Sequence, residues 1–242
     1  MNLQQEFLNL FNILATPTEV YGEINITPRW RIPFLFLVIS STIVGWFMIP
    51  AIMEPMRKIF ASSFGQGSAD VAIKGIMKSI LVAQLFIEPL LKLVRWLVLS
   101  AILFFITLLY VKGDFLLFKK LFSAVAYTES IFVLMGVLTI LIIYLRGMDS
   151  IEAIGDLTVF KGLDFFLKGK DQNTTIVTVL SNINPYSIWY VVTIAFGVSI
   201  FTKLQKSKAF IIASASWLTW IIISIVQSKV TAFLVGLIVG RI

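Results

Sequence analysis

From Ile32 to Met53 the chain runs for 22 residues without a charge. As an α-helix such a stretch rises about 33 Å, enough to cross a hydrocarbon core of about 30 Å. Four further apolar stretches occupy 90–111, 121–145, 185–202 and 209–228. A helix satisfies its own backbone hydrogen bonds in lipid, so the expected fold class is all-α: an integral membrane bundle of five transmembrane helices with amphipathic interfacial helices.

Composition agrees with this. A soluble domain carries about 45–50% apolar and about 25% charged residues, whereas this chain has 58% and 14%. The surplus belongs on a lipid-facing exterior. Residues 1–31 form an amphipathic arm, 32–228 a single membrane domain, and 229–242 a tail that is either interfacial or an extension of the fifth span. None of the unspanned pieces reaches the roughly 50 residues of a second globular unit.

The chain has no Cys and no His. That removes thiolate nucleophiles, imidazole bases and most zinc and haem ligation. No catalytic site, metal site or cofactor is expected, and the chain reads as a non-enzyme. Its net charge of +7 comes from basic residues at the ends of apolar segments, which points to anionic lipid headgroups and away from nucleic acid.

Leu3, Phe7, Leu10 and Leu14 recur at helical spacing, with Gln4, Gln5, Glu6 and Asn9 between them. This describes an amphipathic helix too short to span, lying along the membrane surface. No basic leader precedes it, so the first span is expected to act as its own insertion signal. Thr16-Pro17-Thr18-Glu19 reads as a capped helix start, with Pro at the first helical position. Pro28, Arg29 and Trp30 then bring the chain to the membrane as interfacial anchors. The first span is expected to end near Pro50, and Gly65 to Ser68 to form a turn.

Along Val71 to Val111, the charges Asp70, Lys74, Lys78, Glu88, Lys92 and Arg95 fall within an arc of about 100° when plotted at helical pitch. Two arrangements are compatible with this arc. In the favoured one, 71–87 is an interfacial helix that dips into the membrane after Pro89; in the other, one long tilted helix turns a polar stripe inward. Glu88 and Lys92 are an i, i+4 pair in the favourable order. The third span carries one charge, Glu129, and Asn184-Pro185 caps the fourth. Gly236 and Gly240 have a close-packing spacing, Asn173-Thr174-Thr175 has the form of a glycosylation acceptor, and short surface helices are expected within 147–172.

Five spans put the termini on opposite sides. The two tightest connections, Lys112 to Lys120 and Lys203 to Lys208, each hold three lysines. The positive-inside rule therefore places the N-terminus in the cytoplasm and the C-terminus outside, in a cell membrane.

Pro17-Thr18-Glu19-Val20-Tyr21, Pro28-Arg29-Trp30 and Pro33 resemble the lead-in segment of the Yip membrane proteins, a family named for interaction with Ypt/Rab GTPases. Ala126-Tyr127, then Tyr186-Ser187-Ile188-Trp189, Gly197, Lys203, Lys208 and Ala209, resemble the pattern of its later spans. The resemblance covers Pro17 to about Val226 and implies a multi-pass protein with five spans and its N-terminus inside. It also implies a membrane-organising or transport-associated role with a membrane protein partner, and no catalytic residues. The long hydrophilic N-terminal region of eukaryotic members is replaced here by a brief amphipathic arm, as in bacterial relatives.

The candidate residues form two groups. Glu129, Glu88, Lys92 and Arg95 are polar groups inside the membrane, where charge is expensive unless paired or used. Pro17, Glu19, Pro28, Arg29, Trp30, Tyr127, Pro185, Trp189 and Gly197 are family-motif and interfacial positions. The leading expectation is a non-enzymatic protein organising membrane partners or assisting transport or trafficking. The alternative is a small transporter or channel working through Glu129 and the Glu88/Lys92/Arg95 stripe.

Overall fold

The computed structural model describes residues 3–147, 159, 162–167 and 175–239. Most of the 147–172 connection, Asn173-Thr174 and Gly240 lie outside these residues. Among those described, all regular structure is helical. In chain order the α-helices are α1 (Leu3–Ala15), α2 (Pro17–Ile26), α3 (Arg31–Phe64), α4 (Gln66–Val82), α5 (Glu88–Leu108), α6 (Phe115–Thr128), α7 (Ser130–Arg146), α8 (Thr175–Ser181), α9 (Pro185–Thr202) and α10 (Lys206–Val239). Among the described residues, five stretches are long and apolar enough to cross a membrane: Arg31–Ser62, Asp70–Leu108, Phe115–Arg146, Pro185–Thr202 and Lys206–Gln227. The chain groups into two units, one of residues 1–15, 29–97 and 126–160, the other of 16–28, 98–125 and 161–242.

In the first unit, α1 is a helix of 13 residues. Glu6, Asn9, Leu10 and Ile13 are buried, while Leu3, Phe7, Leu8 and Phe11 are exposed. Glu6 faces inward because the Arg29 guanidinium pairs with it. Phe7 and Phe11 stay outside, edge-on to Phe36 of α3.

The first spanning helix does not stop at Pro50. α3 continues through Pro50 and Pro55 to Phe64, although each proline lacks an amide and crowds the preceding turn. In the turn before Pro50, the Tyr144 hydroxyl of α7 donates to the Phe47 carbonyl at 3.3 Å. Gly65 alone, at φ 81°, reverses the chain; α4 then packs back along α3, and Arg57 meets Asp70 at 3.1 Å.

The segment after this turn corrects two expectations. The chain remains helical through Pro89, so the favoured change of direction there is absent. Between α4 and α5, residues Ala83–Ile87 form a π turn. Its i→i+5 bonding adds one residue to the turn and rotates α5 by about 100° relative to α4. The six charges therefore do not share one face: Asp70, Lys74 and Lys78 are exposed, whereas Glu88, Lys92 and Arg95 are half-buried. The π turn also brings Gln84 against Gly45, where an added Cβ would collide with its side-chain amide.

In the second unit, α2 packs on α9. Tyr21 is fully buried, its ring 5.7 Å from that of Phe201. A Cβ on Gly197 would meet that tyrosine at 3.1 Å. Asn184 caps α9 as expected: its side chain accepts from the amides of Tyr186 (3.1 Å) and Ser187 (3.0 Å), and the Ser187 hydroxyl accepts from the Asn184 amide at 3.0 Å. Thr16, by contrast, makes no side-chain cap on α2, although Pro17 does occupy the first turn. Lys203, at φ 58°, lets α10 return beside α9, and Tyr190 meets Trp217 at 5.3 Å. α10 continues helical to Val239, so the helix of the fifth span runs on past Lys229.

Candidate functional site

The third spanning stretch is longer than 121–145 and is interrupted. It begins at Phe115, where the Asp114 carboxylate accepts from the Leu117 amide at 3.0 Å, and is interrupted at Glu129 between α6 and α7. There the backbone tightens, with the Phe132 amide donating to the Glu129 carbonyl at 2.9 Å, an i→i+3 bond. With this earlier start, Glu129 lies fourteen residues, about 21 Å, into the stretch Phe115–Arg146, near mid-span.

Every residue from Ser123 to Ile131 is buried except for traces of surface, and Thr128, Glu129 and Ser130 bring polar atoms into that stretch. Arg95 answers the carboxylate, its Nη2 3.2 Å from Glu129 Oε1. The side chains are 30% and 6% exposed respectively, so Glu129 depends more heavily on its partner. The Arg95 guanidinium also lies over the Phe132 ring, 5.5 Å from its centroid, an arrangement that favours a cation. Lys92 and the buried Trp96 bear on the same carboxylate. One turn back, Lys92 pairs with Glu88 at 2.9 Å.

The expected intramembrane residues Glu88, Lys92, Arg95 and Glu129 therefore come together in the first unit. Two acids and two bases balance. Such a network can brace two helices, or it can hold a charge that exchanges with a passing ion, depending on whether its pairs open.

The motif positions divide differently. In the first unit, Arg29 pairs with Glu6, Trp30 precedes α3 with its ring 6.1 Å from Phe34, and the fully buried Tyr127 stands two residues before Glu129. In the second, Pro17 and Pro185 open α2 and α9, Glu19 is exposed, Trp189 is half-buried and Gly197 accepts Tyr21. Pro28 lies between α2 and α3. Sequence reasoning missed Trp96, Phe132 and the Asp114 cap. Asp114 three residues before an amide in an apolar helix was a readable capping signal; the contacts of Trp96 and Phe132 arise only from packing.

These features define a polytopic α-helical membrane protein with a charge-balanced cluster inside its span. The chain belongs to the Yip1 domain family, whose match covers residues 11–227. No curated protein and no solved structure gives a significant match.

Proposed function

We propose that this protein is a non-enzymatic organiser of membrane partners, acting in trafficking or transport through protein and lipid contacts. The observation that supports it is the closure of the intramembrane cluster: Glu129 meets Arg95 and Glu88 meets Lys92, so each charge is answered inside the chain. That is the arrangement of a brace. In this reading the N-terminus lies in the cytoplasm and the C-terminus outside the cell membrane. The working surface is the arm with Pro17 and Glu19 together with the lysine-rich connections, which face anionic lipid and a membrane protein partner.

The test is crosslinking in native membranes from the arm and from the two connections. Stoichiometric recovery of one membrane protein, unchanged by Glu129→Gln, is the expected result; recovery of lipid alone refutes the reading.

One observation favours a transporter or channel as the second reading. The interruption at Glu129 resembles the broken helices that place backbone and charge at transport sites. Ion flux in liposomes that disappears with Glu129→Gln would replace the organiser with this alternative.

A further inference from the structure

Within the second unit, the connection from α5 to α6, the start of α6 and the end of α9 line an open cleft of about 460 Å³. Lys112, Lys120, Asp114 and Thr202 supply its polar lining, and Leu117 and Phe201 are among its apolar residues. We infer that this cleft binds the phosphate of an anionic phospholipid headgroup. The inference rests on the lipid-facing part of the proposed function and assigns a site to it.

Three observations converge. The first is charge. Lys112 is exposed and makes no ion pair among the described residues. Lys120 reaches the Asn25 side chain at 2.7 Å, a neutral partner that orients the ammonium without cancelling it. Asp114 contributes the single opposing charge, and its carboxylate already accepts from the Leu117 amide. The cleft therefore retains a net positive charge, and Lys203, Lys206 and Lys208 lie close after Thr202 in sequence.

The second is position. Three spanning segments end at the cleft: Asp70–Leu108, Phe115–Arg146 and Pro185–Thr202. Helix ends carrying lysines belong at the level of lipid phosphates.

The third is the mixture of linings. Leu117 and Phe201 place hydrocarbon beside the lysines, and Leu109, Tyr110 and Phe115 are exposed alongside. A free phosphate has no use for these groups, whereas a phospholipid brings acyl chains to cover them. A Cβ on Gly113 would lie 2.7 Å from Leu117 and 2.8 Å from Leu108, so the turn holding the cleft is tightly drawn.

The test uses the full-length protein reconstituted in vesicles of phosphatidylcholine and phosphatidylglycerol, extracted gently and weighed by native mass spectrometry. Wild type is expected to retain phosphatidylglycerol preferentially. The double variant Lys112→Gln/Lys120→Gln loses that preference by roughly tenfold, and Lys112→Arg/Lys120→Arg keeps it. Lys58→Gln/Lys74→Gln, which removes two charges from the other unit, leaves it unchanged. Equal retention of the two lipids by wild type overturns the inference, as does equal loss in both Gln variants. Displacement by millimolar inorganic phosphate overturns the lipid assignment, marking a soluble anion site instead. Crosslinking to a protein partner can succeed whichever result is obtained, so a failure here is distinguishable from a failure of the organiser reading.

Discussion

Replacing Arg95 by Met would leave the Glu129 carboxylate, 6% exposed at mid-span, without the guanidinium 3.2 Å away. Removing one partner of a buried ion pair costs about 3–5 kcal/mol, because the remaining charge stays desolvated. The nearby Lys92 offers partial compensation, which sets the expected loss at about 3 kcal/mol. Glu129→Met should cost less, roughly 1–2 kcal/mol, since Arg95 is 30% exposed and keeps the Phe132 ring. The double variant removes both charges and fills the space with apolar groups, so it should return to within about 1 kcal/mol of wild type. Reversible unfolding of the reconstituted protein in mixed micelles measures all four corners of this cycle. The expected coupling is about 3 kcal/mol; single losses that sum in the double variant to within about 0.5 kcal/mol would refute the brace.

Gly197→Leu should force α2 away from α9 at a cost of about 1–3 kcal/mol, because even a Cβ meets Tyr21 at 3.1 Å. Gly22→Ala, on the open side of α2 with nothing within 4 Å of the added Cβ, should be neutral or slightly stabilising in the same unfolding assay. Asn184→Ala removes two accepted amide bonds and should cost about 1 kcal/mol, while Asn184→Asp should retain most of it. The chain has no cysteine, so single introduced cysteines report topology directly. Lys112→Cys and Gln205→Cys should label from one face of the membrane and Gln66→Cys from the other; labelling of all three from a single face would refute the five-span path.

The spans were legible because an uncharged run long enough to cross a bilayer has few other solutions. Asn184-Pro185 was legible for a local reason, since cap and first turn are neighbours in sequence. The failures arose where distant residues decide. Nothing in Leu3 to Leu14 announces that Arg29 will pair with Glu6 and hold it inside. The prolines in α3 suggest an end, but apolar sequence continues on both sides of Pro50 and a long helix buries no more polar backbone than a short one. The π turn was invisible because periodicity assumes one constant pitch; one extra residue near Gln84 was enough to split the stripe. Glu129 and Arg95 are both candidates by sequence, yet their meeting required two helices to be in register, which the sequence of either helix does not contain.

Helix α3 has 34 residues and so is about 51 Å long, well beyond a hydrocarbon core of about 30 Å. Its charged end, from Glu54 onward, and the start of α4 meet at a single glycine with open space around it. This tip is a natural mast. A foreign peptide spliced between Gly65 and Gln66 would enter at this open tip without touching the helices below.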